Sequence, residues 1–318
     1  MSTIRIPEVV PSPAQDCETL HKSCEGWGTD EAALIRILGC RNAAQRKLIR
    51  DAYQQIYYTS LIDCLSEELS GDFRKAMILW TYDPPERDAR LANEALKSRR
   101  KNLTQLQVIV EIACATSPHH LVAVRQAYAS LFDTSLEEDI ISNVSLPLQK
   151  ILVSLVRSYR YDKEVVDSSI AKTEAAKLRE AVQAKKLDDD ELLRILSTRN
   201  TFQLRKTFQL YKDNYGTSID KDVIARGKGI VESVMQVVIW CLDTPEKHFA
   251  EVVKASIEGL GTDEDSLTRA IVGRAEIDMI KVREAYFNAN RSSLDSAVIG
   301  DTSGYYKDFL MTLLGSKI

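Results

Sequence analysis

The chain has 318 residues, a formal charge of −4, 44% hydrophobic and 28% charged residues. That composition is typical of a soluble globular chain, the length allows about two domains, and the charge excludes a general basic field for nucleic acid or anionic lipid. The longest apolar runs, such as Met77-Ile78-Leu79-Trp80, fall far short of the roughly 20 residues of a membrane-spanning helix.

Residues Met1 to Pro13 hold one Arg, several prolines and no apolar block. No signal peptide is expected there, and a cytosolic protein is. Cys17, Cys24, Cys40, Cys64, Cys114 and Cys241 include no CxxC pair, so free thiols are expected.

The first distinctive stretch is Glu25-Gly26-Trp27-Gly28-Thr29-Asp30-Glu31. Paired glycines hold backbone conformations closed to other residues and can turn several carbonyl oxygens toward one point. Oxygen-only ligands suit a hard cation such as Ca²⁺. Thr29 is also expected to cap the helix that follows, with acids in its first turn. Helical periodicity then runs through Leu34, Ile37 and Leu38, and through Ile49, Ala52, Tyr53 and Ile56. Asn42 with Gln45 predicts a capping box, and Asn200 with Gln203 predicts another. Ser117-Pro118 puts proline at a first helical position. Thr134 with Glu137, Thr217 with Asp220 and Ser292 with Asp295 predict further boxes. No stretch alternates at period two over strand length.

These elements recur. The anchors Arg41, Thr116, Arg199 and Arg274 are 75, 83 and 75 residues apart. Each is followed at the same step by Tyr53, Tyr128, Tyr211 or Tyr286, then by Ser60-Leu61, Ser135-Leu136, Ser218-Ile219 or Ser293-Leu294. The chain is therefore four copies of one all-α unit of about five short helices, at 13–85, 86–157, 168–242 and 245–317, expected to share buried faces in one body. Residues 158–167 form a polar connector between the second and third. Prolines punctuate Asp83-Pro84-Pro85 and Asp243-Thr244-Pro245. The recurring tyrosines are expected to be packing residues.

The last unit repeats the opening loop as Glu258-Gly259-Leu260-Gly261-Thr262-Asp263-Glu264. The same forward step from Thr29 and from Thr262 reaches Glu68 and Asp301, both acidic. The middle units lack the pattern. Lys101-Asn102-Leu103-Thr104 and Asn143 stand at those positions in the second, and Lys185-Lys186-Leu187 and Arg226-Gly227 in the third. No calcium site of this type is expected there.

Four helical repeats, G-x-G-T in the first and last, and a matched acid resemble the annexin family, with Trp27 and the short N-terminal arm most similar to its plant branch. The resemblance implies a curved disc of five-helix repeats whose convex face meets membrane. It implies Ca²⁺ held by the carbonyls of Cys24, Gly26 and Gly28 with the Glu68 side chain, and by those of Ile257, Gly259 and Gly261 with Asp301. Minor sites are expected near Thr29 with Glu31 and Thr262 with Glu264. Trp27 and Leu260 would contact the membrane, although each has a core alternative. The expected function is calcium-dependent binding to anionic phospholipid, as a cytoplasmic, non-enzymatic, peripheral membrane protein. It would be monomeric in solution, with oligomers on the membrane and a role in stress response as further expectations.

Alternatives are ion conduction, a peroxidase-like or redox activity, nucleotide hydrolysis and an actin scaffold. The family's haem argument uses a histidine just before the Arg41 position, where this chain has Cys40. Cys114 and Cys241 resemble a redox-linked pair in plant members, against the simpler reading of small buried hydrophobes. Asp301-Thr302-Ser303-Gly304 resembles a nucleotide motif and Ile35-Arg36-Ile37 an actin-linked one. Calcium explains the first, and a solvated Arg on a helix the second. His21, His119, His120 and His248 make no metal-spaced pair; His119 and His120 are expected at the surface.

Overall fold

The computed structural model describes residues 1–25, 28–259 and 261–316. Twenty helices and no strand occur among them. The first repeat holds α1 (Pro13–Cys24), α2 (Glu31–Leu38), α3 (Ala43–Tyr57), α4 (Leu61–Glu68) and α5 (Gly71–Thr81). The second holds α6 (Pro84–Lys97), α7 (Leu103–Cys114), α8 (Pro118–Phe132), α9 (Leu136–Asn143) and α10 (Leu148–Val156). The third holds α11 (Ser168–Gln183), α12 (Asp190–Thr198), α13 (Thr201–Tyr215), α14 (Ile219–Arg226) and α15 (Ile230–Asp243). The fourth holds α16 (Pro245–Ile257), α17 (Glu264–Arg274), α18 (Met279–Asn290), α19 (Leu294–Asp301) and α20 (Gly304–Leu313).

Each repeat buries the residues that recur. Tyr53, Tyr128, Tyr211 and Tyr286 are all in the core, as their helical spacing predicts. Leu34, Leu38, Leu61 and Leu65 are fully buried, each a side chain worth roughly 1.5–3 kcal/mol of apolar transfer. The Arg anchors close the repeats from inside. Arg41 reaches back to Asp16 on α1 at 2.8 Å, and Arg199 to Glu174 on α11 at 2.7 Å.

The link from the third to the fourth helix of each repeat has one design. Tyr58, Asp133, Gly216 and Arg291 take a left-handed conformation at the end of the longer helix; Ser60, Ser135 and Ser293 cap the next with their side chains, and Ser218 holds the N-cap position without a side-chain bond. This corrects three predicted caps by one residue. Thr134, Thr217 and Ser292 lie in the turn, because the left-handed residue uses a position before the helix starts. The Asn42–Gln45 box is reciprocal. Asn200 caps Gln203, but the Gln203 amide oxygen accepts from the Asp167 N–H at 2.7 Å instead of returning the bond. Residues 158–167 are less solvated than their composition predicts: Ser158 and Arg160 are buried, and Arg160 donates to the Arg199 carbonyl at 2.9 Å.

The chain groups into two compact units, Met1–Arg87 with Phe249–Ile318, and Asp88–His248. The first unit thus joins the two glycine-bearing repeats. Thr3 ties the N-terminal arm to the fourth repeat, donating from its N–H to Ala275 and from its hydroxyl to Leu313. Arg46 on α3 pairs with Glu276 at 2.8 Å while its guanidinium stacks 3.6 Å above the Trp80 ring. In the second unit α7 packs on α15, and a buried His248–Glu111 contact of 2.8 Å joins α16 to α7.

Candidate metal centre

The site forms where α1 gives way to α2, and again where α16 gives way to α17. At each turn the chain is pinched by one main-chain bond: Asp30 N–H to the Ser23 carbonyl at 2.9 Å, and Asp263 N–H to the Ser256 carbonyl at 2.7 Å. The bulge between these pairs needs positive φ. Gly28 sits at +98°, Gly261 at +97° and Gly259 at +132°, where an L side chain is strained. The N-cap is the aspartate in both loops: Asp30 accepts from Ala33 and Asp263 from Ser266. This corrects the expectation that Thr29 caps α2.

Thr29 has a different partner. Its hydroxyl donates to the Glu68 carboxylate at 3.2 Å. Thr262 does the same to Asp301 at 2.6 Å. Both acids are the last residues of short helices, α4 and α19. A carboxylate there faces the negative end of the helix dipole, an unfavourable place unless a cation is near. Glu31 and Glu264, at the starts of α2 and α17, face the same cleft of about 380 Å³ as Glu68, Asp301 and Asp72. Five carboxylates thus line one opening between the first and fourth repeats.

Among the described residues, no group of three or more His, Cys, Asp or Glu side chains is arranged to hold a metal by itself. A cation here must draw on main-chain oxygens as well, and the donor chemistry fits. Cys24 and Ile257 end their helices half-exposed, Gly28, Gly259 and Gly261 are exposed, and a hydroxyl-oriented carboxylate stands beside each loop. Gly26, Trp27 and Leu260 lie outside the described residues, so the ligand expectation for the first and the membrane expectations for the other two stand as made.

The middle repeats diverge at the same points. Asn102 is an ordinary N-cap for α7. Asn143, at the end of α9, turns its amide back to the Asp139 carbonyl. Lys185 takes a left-handed φ of 57° at the end of α11. Arg226, at the end of α14, lies 3.8 Å from Asp222 and complements the helix dipole itself.

A cluster not marked by any motif lies beside the first loop. Tyr53 donates to the Cys64 sulfur at 3.3 Å, and His21 Nδ1 contacts the Tyr53 hydroxyl at 3.1 Å. The Cys64 thiol is held down to about 7, with the Cys24 side chain as the first cause and the Tyr53 hydroxyl a further one. The tyrosine marks this position in the other repeats too, where Tyr128 and Tyr211 donate to Asp139 and Asp222 at 2.5 Å. Only a comparison of the residue eleven places beyond each tyrosine reveals the cysteine.

The remaining candidates are plainer. Cys114 and Cys241 are both buried. Cys40 lines a cleft of about 450 Å³ with Arg5 and the exposed Arg36. His119 is exposed, whereas His120 is half-buried against Asp88 at 2.7 Å.

Four helical repeats, two of them with a glycine loop facing a helix-terminal carboxylate, define a class of repeat protein built around paired loops. A family model described as Annexin matches residues 15–80, 87–155, 173–238 and 248–313. The chain is 60% identical to Annexin D3 of Arabidopsis thaliana over all of both chains. Its fold matches the structure of annexin III with a TM-score of 0.91 at 30% identity, covering 100% of this chain and 98% of that one. It matches the structure of calcium-bound annexin (Sm)1 with a TM-score of 0.86 at 28% identity, covering 99% and 93%. The chain belongs to the annexin family, known for calcium-dependent phospholipid binding.

Proposed function

We propose that the first and fourth repeats each bind Ca²⁺ and thereby attach the protein to anionic phospholipid. The observation that carries this reading is the twofold pairing of a positive-φ glycine loop with a carboxylate held by a threonine hydroxyl at a helix C-terminus. The calcium-bound relative among the structural matches supports the choice of ion.

In this function the carbonyls of Cys24, Gly26 and Gly28 hold one ion with Glu68, and those of Ile257, Gly259 and Gly261 hold the other with Asp301. Thr29 and Thr262 orient the two carboxylates. Glu31 and Glu264, facing the same cleft, serve minor sites beside Thr29 and Thr262. When bound, the ion supplies positive charge that a lipid phosphate shares, which lets an acidic protein meet an acidic surface. Loop oxygens alone fill only part of a shell that takes about six to eight. Calcium and lipid therefore bind with reciprocal positive coupling. Trp27 and Leu260 enter the membrane interface, where Trp is favoured. Two loops on one chain gain by effective concentration. No catalytic step is part of this function, and its setting is the cytoplasmic face of a membrane. No helix among the described residues is long and apolar enough to cross one.

Cosedimentation with phosphatidylserine vesicles across a calcium titration tests this. Glu68→Gln with Asp301→Asn abolishes the calcium-dependent fraction while helical circular dichroism is unchanged. Unchanged sedimentation removes both residues from the function.

A further inference from the structure

The cleft that Cys40 lines lies within the first compact unit, among the N-terminal arm, α2 and α20. Its volume of about 450 Å³ falls in the range that takes a small molecule. Ala32 and Ile35 on α2 give it an apolar wall. Cys40 adds to that wall: burial pushes its thiol up, against the opposing pull of the Arg41 guanidinium, so the sulfur stays protonated and uncharged.

The polar groups of the lining fall into two kinds. Those on and just after α20 are engaged within the chain. The Thr312 hydroxyl donates to the Asp308 carbonyl at 2.8 Å, the Ser316 hydroxyl to Asp295 Oδ2 at 2.5 Å, and Asp308 Oδ1 lies 4.0 Å from the Lys307 ammonium. The guanidiniums of Arg5 and Arg36 are of the other kind. Neither has a hydrogen bond or ion pair among the described residues, whereas Arg41, Arg46 and Arg50 each hold a carboxylate.

Both arginines are anchored through their backbones. Thr3, two residues before Arg5, donates from its N–H to the Ala275 carbonyl at 2.9 Å and from its hydroxyl to the Leu313 carbonyl at 2.6 Å. The Thr3 carbonyl lies so close to Gly315 that an added Cβ would stand 2.5 Å from it. Arg36 sits on α2 between the buried Ile35 and Ile37.

We propose that this cleft is a binding site for a small amphipathic acid, its apolar body against Ala32, Ile35 and Cys40 and its anionic head shared by Arg5 and Arg36. A guanidinium offers a fork of N–H donors that matches the oxygens of a carboxylate or sulfonate. Two guanidiniums face one carboxylate, that of Asp308, in the lining, which favours an anion. A neutral ligand of the same shape gains only the wall, and a cation is repelled. None of these residues is a ligand of the calcium loops, so the site stands apart from the calcium reading.

Fluorescence titration of the purified full-length chain, in calcium-free buffer without vesicles, tests this with two probes of one ring system. Anilinonaphthalenesulfonate carries the anionic head, and N-phenylnaphthylamine lacks it. The sulfonate binds a single site at roughly 10–100 µM, and the neutral probe binds at least about tenfold more weakly. This comparison is read on the wild-type chain and does not depend on any variant folding. Arg5→Gln and Arg36→Gln each weaken the sulfonate by about three- to tenfold and leave the neutral probe unchanged. Both side chains are exposed and have no partner to lose, so helical circular dichroism is unchanged. Ala32→Trp fills the cleft from an exposed position and abolishes sulfonate binding. No sulfonate binding to the wild type, equal affinity for the two probes, or sulfonate binding that survives Ala32→Trp or both arginine replacements overturns the proposal.

Discussion

Replacing Thr262 by Val removes one hydroxyl at nearly constant volume and frees the Asp301 carboxylate. In the folded chain that hydroxyl lies 2.6 Å from Asp301 Oδ2, and both residues are half-buried. A hydrogen bond to a charged group is worth roughly 1.5–3 kcal/mol when shielded, and partial exposure reduces this to about 1 kcal/mol. Ordering one free carboxylate side chain costs a similar amount, about 0.5–1.5 kcal/mol. Thr262→Val therefore raises the calcium midpoint of the fourth-repeat site by about fivefold. The equivalent bond from Thr29 is longer, 3.2 Å, and Glu68 is exposed. There the same substitution costs about 0.4 kcal/mol, or about twofold. Calorimetric calcium titration with phosphatidylserine vesicles, each variant made with the other loop's acid neutralised, reads the two sites separately. Ser in place of Thr262 restores the wild-type midpoint. Equal shifts at the two loops, or a larger one at Thr29, would refute the view that these hydroxyls position the carboxylates.

Gly261→Ala probes the loop backbone alone. No atom lies within 4 Å of an added Cβ, but φ is +97°, so the whole cost of about 1–3 kcal/mol is backbone strain. Calcium-dependent binding weakens, and thermal unfolding drops by no more than that strain allows. A wild-type calcium midpoint would show that the left-handed turn is not needed. Tyr211→Phe leaves the buried Asp222 without its 2.5 Å phenol donor and destabilises the fold by about 1–3 kcal/mol in urea unfolding. Tyr286→Phe, whose equivalent position is Ala297 rather than an acid, costs less. A reversed order would show that the phenol–carboxylate bond does not support the third and fourth helices of its repeat.

The repeats and both loops were legible because each rests on residue types that cannot be exchanged. Positive φ asks for glycine, so Gly28 and Gly261 mark the loops directly. Their acids were legible because the same spacing recurs at Glu68 and Asp301. What the threonines do was not legible, since a Thr before Asp looks like a cap until the carboxylate 39 residues on is seen beside it. The three caps moved by one residue because Asp133, Gly216 and Arg291 hold positive φ at the helix end, and two of these are not glycine. The joining of the first repeat to the fourth depends on contacts such as Arg46 with Glu276 and Thr3 with Leu313. Those residues are unremarkable in their own segments. The His21–Tyr53 contact is likewise tertiary: nothing in either segment's periodicity pairs them.

A structure determined with abundant Ca²⁺ tests the central claim most directly. Ion density is expected at the loops of the first and fourth repeats, with Glu68 and Asp301 oxygens at about 2.3–2.6 Å, and none of this kind at Lys101–Thr104 or Lys185–Leu187. Empty loops beside Thr29 and Thr262, or ions in the middle repeats instead, would contradict it.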